Sequence, residues 1–274
     1  MTDKIIYERR GSVAHITLNR PEVKNAVDTE MSDRLTEIWT EFAEDSDLRV
    51  AVLTGSGDAF TSGADLRTHA PEWTDASPML GRERIEEGLS GITRGPLSRI
   101  PKPIIASING WCLGHGMELA MACDLRIASD RAQFGMFEIR RGMHSADGAI
   151  VRLVNCCGIG FAMEVMLTGE AVSAERAYQA NMVNRVVPHA QLQEATDLVV
   201  QQILRCDAAA IGSAKQTALE VIGRPLIDQL RLEAVWGYAL CAASKSVGER
   251  TQQFFEKSDR GRAGENATPL QGPW

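Results

Sequence analysis

What this chain lacks narrows what it can do. Its 274 residues carry no excess of positive charge: 29 Lys and Arg stand against 36 Asp and Glu, a formal net charge of −7, with a pI near 5.4. That balance argues against wholesale binding to nucleic acid or to an anionic membrane surface. No apolar run approaches the length a bilayer span requires. The first residues, MTDKIIYERRGS, lack the apolar centre of a signal peptide. A soluble, cytoplasmic protein is the expectation. Six cysteines (Cys112, Cys123, Cys156, Cys157, Cys206 and Cys241) form no Cys-x-x-Cys pair. Five histidines are scattered without His-x-His or His-x-x-x-His spacing. Buried free thiols are expected rather than a disulfide framework, and no metal site is expected. No Gly-x-x-x-x-Gly-Lys-Ser/Thr occurs, which excludes a P-loop nucleotidase.

What is present is ordinary for a globular chain: 44% hydrophobic and 24% charged residues, enough for one large domain or a core with an appendage. Ile5–Arg9 and Val13–Asn19 read as paired strands. Asp28 or Thr29 can cap a helix over Glu30–Glu44, where Met31, Leu35, Ile38, Trp39 and Phe42 fall at helical spacing. Arg49–Thr54 reads as a buried strand and Phe60–Leu66 as a loop of small residues. Residues 67–82 read as irregular and mobile, and Glu83–Arg99 as a glycine-interrupted helix. Strands follow at Ile104–Asn109, Asp124–Ser129 and Ala132–Phe134, with helices up to Cys123 and over Asp147–Cys156. Beyond residue 158 the pattern is helical (160–167, 173–180, 190–206, 208–220, 225–243 and 246–257), broken by one strand at Val183–Val187. The implied organisation is an α/β core over residues 1–200, a helical region over 201–260 and a flexible tail over 261–274.

Two glycine-bearing loops and two glutamates stand out. NGWCLGHGMELAM (109–121) follows an apolar strand and leads into a helix. It is not a dinucleotide fingerprint, because Leu119 stands where the third glycine belongs. The unpaired N–H groups of a helix start can hold a phosphate, or an oxyanion that forms during reaction. The glycines can also serve only to pack strand on helix. A second loop, Asp58–Leu66, presents the small residues Ser62, Gly63 and Ala64 after another strand. If the two strands are neighbours, the two loops converge and aim a pair of N–H groups at one point. Glu118 opens the helix after the first loop, and Glu138 has apolar neighbours on both sides. Such carboxylates suit acid–base work, or are simple surface groups and ion-pair partners.

In order and spacing, PEVKNAVD (21–28), AFTSGADL (59–66), INGWCLGHGMELAMACDLRIAS (108–129), AQFGMFEIRRG (132–142) and LTGEAVSAERAYQANMVNRVV (167–187) resemble the crotonase, or enoyl-CoA hydratase/isomerase, family. The resemblance runs from about residue 5 to 257. It implies a right-handed spiral of ββα repeats, with C-terminal helices that build a homotrimer or a hexamer. It implies an acyl-CoA thioester substrate, with coenzyme A entering as part of that substrate and no separate cofactor. The backbone N–H groups of Ala64 and His115 would form the oxyanion hole. Glu118 and Glu138 would be the catalytic pair that adds water across a trans-2-enoyl-CoA. Glu138 would protonate Cα and Glu118 would activate the water. Lys24, Ala26, Ser62, Ala64, Asp65, Leu66 and Arg67 would touch coenzyme A.

Three departures from the family pattern bear on the reaction. His115 stands where hydratases usually have glycine, and its ring is expected to pack. His144 and Asp147 enter a stretch that is richer in glycine in hydratases. Asp147 is expected to cap the following helix, with a third reacting carboxylate as the alternative. Arg140 and Arg141 follow Glu138, and a guanidinium beside that carboxylate would favour its charged form. Double-bond isomerisation and C–C or thioester hydrolysis on the same fold therefore stay open. So does a non-catalytic binding subunit, which loss of either glutamate would signal. Neither is lost. Trp73, Met79, Met143, Met163 and Trp236 are candidate walls of an acyl pocket.

Overall fold

Among the described residues, short β-branched runs separated by glycine turns give ten strands, and their pairing sorts them into two sheets. The computed structural model describes residues 3–75, 88–92 and 96–262. Strands β1 (Ile5–Arg10), β2 (Val13–Leu18), β3 (Val50–Gly55), β5 (Ile104–Ile108), β7 (Leu125–Ser129) and β10 (Arg185–Val187) form one sheet, in the order β1-β2-β3-β5-β7-β10. Only the β1–β2 pair, a hairpin, is antiparallel there. Strands β4 (Ala59–Thr61), β6 (Trp111–Leu113), β8 (Gln133–Gly135) and β9 (Val172–Ser173) form the second sheet. In β3–β4, β5–β6 and β7–β8 the chain crosses from the first sheet to the second. Each crossing therefore repeats one strand–strand turn and stacks it in parallel on the last.

Helices fill the returns: α1 (Thr29–Glu44), α2 (Leu66–Asp75), α3 (His115–Ala122), α4 (Ala149–Cys157), α5 (Ile159–Thr168), α6 (Ala174–Gln179) and α7 (Leu192–Leu204). Helix α1 starts where the Asp28 side chain accepts the Met31 N–H at 2.9 Å. It buries Met31, Leu35, Ile38, Trp39 and Phe42, the stripe expected from its spacing. β5 is buried along its whole length, as a central parallel strand covered on both faces must be. This core lies in the compact unit Met1–Cys206.

A second compact unit, Asp207–Trp274, holds α8 (Ala208–Val221), α9 (Leu226–Ala243) and α10 (Lys245–Arg262). Asp207 caps α8 by accepting the Ala210 N–H, and Trp236 Nε1 donates to Glu220 at 2.9 Å. Helix α9 buries no residue in this chain. Leu226, Ile227, Leu230, Val235 and Tyr238 are all exposed along it.

Several expectations need correction. Residues 66–75 are helical rather than irregular, because Asp65 supplies the start: its side chain accepts the Arg67 N–H and its carbonyl the His69 N–H. Residues 76–82, with Met79, lie outside the described residues. The described parts of 83–99 are two 3-10 turns, Leu89–Gly91 and Pro96–Arg99, not a helix. Gly88, Ser90 and Gly91 all have positive φ, which no right-handed helix tolerates. Of the cysteines, only Cys112 and Cys123 are buried, while Cys206 and Cys241 are exposed and all six are free thiols. The tail beyond 262 lies outside the described residues. Among the described residues no helix is long and apolar enough to cross a membrane.

Candidate active site

Parallel pairing of β4 with β6 and of β6 with β8 lays three strand ends side by side. The loop after each end therefore meets the others. Loop 62–65 leaves β4, the Gly114 turn leaves β6, and the Phe137–Arg141 3-10 turn follows β8. A cavity of about 510 Å³ opens where they meet.

The first two loops are in close contact. A Cβ added to Gly63 would lie 2.8 Å from the Leu113 carbonyl oxygen and 3.2 Å from the His115 nitrogen. Loop 62–65 is fastened to the Lys24–Val27 segment by a ladder that skips one group. The Val27 N–H donates to Gly63 O and the Asp65 N–H to Val27 O, both at 2.8 Å, which leaves the Ala64 N–H unused. His115 is the first residue of α3, where an N–H has no intrahelical acceptor. Neither the Ala64 nor the His115 N–H has an acceptor among the described residues. Both residues line the cavity. The turn that opens α3 requires Gly114, whose φ of 52° and ψ of −120° suit no other residue.

Both glutamates face the same cavity. Glu118 sits in the first turn of α3 and is 3% exposed. Its Oε1 accepts the Asp147 N–H at 2.7 Å, and its Oε2 meets His115 Nδ1 at 2.9 Å. Glu138 is half-buried on the 3-10 turn. Its Oε1 accepts the Ser145 hydroxyl at 2.6 Å, and its buried Oε2 has no hydrogen-bond partner among the described residues. The Glu138 carboxyl lies 3.4 Å from where a Cβ on Gly114 would stand, so it lies against the turn that leads to the His115 N–H.

The remaining predicted residues divide. Ser62, Ala64, Leu66, His144 and Asp147 line the cavity, whereas Lys24, Ala26, Asp65 and Arg67 stand outside its wall. Lys24 pairs with Asp58, and Asp65 pairs with Arg20 at 3.2 Å. Asp147 does not cap α4: the cap residue is Gly148, with no side-chain bond, and the Asp147 link to Glu118 runs through its main chain. The His115 ring is not mere packing, since both its nitrogens have polar partners. His144 turns its Nδ1 to the Ser145 carbonyl. Arg140 pairs with Glu170 and stacks on Phe137, and Arg141 donates to the Phe137 carbonyl while lining the cavity. Trp73 and Met143 line the cavity, and Met163 and Trp236 do not.

Three residues in this setting escaped sequence reasoning: Ser145, Ser90 and Arg152. Arg152, on α4, donates to the carbonyls of Asp147 (3.0 Å) and Ile92 (3.3 Å) and so fixes the main chain that serves Glu118. Burial pulls its guanidinium below the usual value, against the attraction of Glu118 and Asp147. His115, Glu118 and Asp147 also bring one ligand-type atom each within 4.8 Å of one another. Sequence spacing does not reveal this cluster, because a distant loop supplies its third member.

The chain matches the family model for enoyl-CoA hydratase/isomerase over residues 8–261. It is 34% identical to the mevalonyl-coenzyme A hydratase of Aspergillus fumigatus over 251 residues, 88% of each chain. It is 35% identical to the (E)-benzylidenesuccinyl-CoA hydratase of Thauera aromatica, over 93% of this chain and 96% of that one. Among solved structures, it superposes on an enoyl-CoA hydratase from Bacillus anthracis with a TM-score of 0.83, at 31% identity, covering 93% of this chain and 97% of that chain. Matched across nearly its full length, the chain has the crotonase fold and belongs to the enoyl-CoA hydratase/isomerase family.

Proposed function

We propose that this protein is an enoyl-CoA hydratase, adding water syn across a trans-2-enoyl-CoA to give a 3-hydroxyacyl-CoA. The observation that carries the reading is one cavity holding two unpaired N–H groups, of Ala64 and His115, and two carboxylates, Glu118 and Glu138. The names of the relatives, hydratases acting on coenzyme A thioesters, support it.

The thioester carbonyl oxygen would accept both N–H groups. When water attacks Cβ, negative charge moves onto that oxygen as an enolate forms, and donors already in place stabilise it without reorganising. One such donor is worth about 3 kcal/mol, roughly a hundredfold in rate. Glu118 takes a proton from the water as its oxygen bonds to Cβ. Glu138 delivers a proton to Cα, and the carbonyl reforms. One proton leaves the water and one enters the carbon, so the pair of carboxylates ends with its protons exchanged and resets through solvent. Glu118 already accepts a donor on each oxygen, which suits an acceptor of protons. Glu138 has an oxygen free to carry one.

Coenzyme A would run along loop 62–67 and the Lys24–Ala26 segment, largely through main-chain contacts. The apolar side chains exposed on α9 support assembly into a homotrimer or hexamer.

The deciding assay follows loss of the enoyl-thioester absorbance with crotonyl-CoA and with a longer trans-2-enoyl-CoA, identifying the product by mass spectrometry. Rapid loss with a 3-hydroxyacyl-CoA product is expected. No loss with either, from protein that still binds coenzyme A esters, would move the assignment to isomerase or hydrolase chemistry using Asp147, which lines the same cavity.

A further inference from the structure

A chain of buried hydrogen bonds leads from α1 to the cavity. The Ser90 N–H donates to Ser32 Oγ at 2.8 Å, and Ser90 Oγ lies 3.0 Å from His115 Nε2. His115 Nδ1 lies 2.9 Å from Glu118 Oε2. Ser32, Ser90, His115 and Glu118 are each at most 6% exposed. Ser90 adopts a left-handed backbone, with φ 56° and ψ 25°. A residue other than glycine holds that conformation only where its surroundings impose it.

The order Ser–His–Glu repeats that of a nucleophilic triad. Ser90 cannot serve as the nucleophile, because it is fully buried and takes no part in the cavity wall. His115 and Glu118 do line that wall. The chain of bonds therefore acts at its glutamate end.

We propose that the His115 side chain is a positioning residue for Glu118, held for that task by Ser90. The inference rests on the hydratase reading above. The Ser90 hydroxyl donates to Nε2, which places the imidazole proton on Nδ1, and Nδ1–H donates to Glu118 Oε2. With the Asp147 N–H on Oε1, the carboxylate is pinned at both oxygens. A carboxylate offers about four acceptor positions, so lone pairs remain for the reacting water. Residues 115 and 118 lie one helical turn apart on the same face. His115 thus gives its main-chain N–H to the thioester oxygen and its ring to the base. One helical turn sets the distance between oxyanion hole and water.

The test compares His115→Asn, His115→Gln, His115→Ala and Ser90→Ala. The Asn amide nitrogen stands close to the position of Nδ1, so it keeps the donor to Glu118. The Gln amide reaches toward Ser90 and loses that donor. In His115→Ala and His115→Gln, kcat for hydration should fall by about tenfold or more, and His115→Asn should recover most of it. Binding of butyryl-CoA, a saturated thioester, should stay within about twofold throughout, because the main-chain N–H remains. If Gln, the better space-filler, outperforms Asn, the ring only packs and the proposal is overturned.

A second measurement needs no turnover. In protein labelled at the histidine ring nitrogens, the nitrogen NMR spectrum should show His115 with its proton on Nδ1. Ser90→Ala should shift the Nε2 resonance, which loses its hydroxyl donor, while the Nδ1 proton stays directed at Glu118. A bare Nδ1 in the wild type would overturn the assignment. The spectrum decides this whether or not the chain hydrates an enoyl thioester, so failure of the hydratase reading is told apart from failure of this one.

Discussion

Glu118 and Glu138 face one cavity from two different kinds of backbone. Glu118 belongs to a regular helix, is almost fully buried, and has a partner on each oxygen. Glu138 belongs to a short 3-10 turn, is half-buried, and has one partner and one oxygen without any. Helical residues repeat every turn, so a helix can supply both the carboxylate and its supporting imidazole. A 3-10 turn offers no such neighbour, and Glu138 depends on a single hydroxyl from the following loop. The contrast teaches that, for the hydration proposed above, the fully partnered carboxylate is the one assigned to water and the carboxylate with a bare oxygen the one assigned to carbon.

The largest test of this contrast is removal of each charge. Glu118→Gln and Glu138→Gln should each lower kcat by about a hundredfold or more, with acyl-CoA affinity largely kept. Steady-state kinetics together with calorimetric binding of a saturated thioester would check both. Near-normal turnover in either variant would take that glutamate out of the mechanism. Next comes the turn that lies beneath Glu138. Gly114→Ala forces an alanine into a backbone only glycine favours, at a cost of about 1–3 kcal/mol, and sets a methyl group 3.4 Å from the Glu138 carboxyl. Both Tm and kcat should fall. An unchanged Tm would mean the turn can adopt another conformation.

Ser145→Ala removes the one donor on Glu138 and should cost about tenfold in kcat. A loss as deep as that of Glu138→Gln would make the hydroxyl part of the proton transfer itself. The smallest effect belongs to Asp147→Ala. Its bond to Glu118 comes from the main chain, so kcat should stay within about twofold. A drop matching that of Ser145→Ala would bring the Asp147 carboxyl into the chemistry and weaken the distinction between the two corners.

How much of this could be read from the residues follows physical lines. Helix α1 was legible because its apolar stripe, cap residue and length all agree, and each is a local property. Seven strands were legible for the same reason, to within a residue or two, whereas the two- and three-residue strands β4, β6 and β9 of the second sheet were not, being too short to show an alternating pattern. Helix α2 was missed because its start depends on Asp65, whose role as a cap is concealed by the polar composition that follows. The stretch 83–99 was misread because positive φ at Ser90 cannot be inferred from a serine. Asp147 was misassigned because a side-chain cap and a main-chain donor look alike in a sequence.

By itself the sequence determined the ordered loops, the two glutamates, and the glycine turn that opens α3. Those are fixed by residue type and spacing, and with them the family. Only the tertiary structure decided who supports whom. Parallel stacking of β4, β6 and β8 brought loops some fifty residues apart into contact; packing also set Asp147 and Ser145 against the two carboxylates and Ser90 against the His115 ring, to which no spacing rule connects them. Hydrogen bonds between distant segments depend on distances that a chain acquires only when its sheets pack.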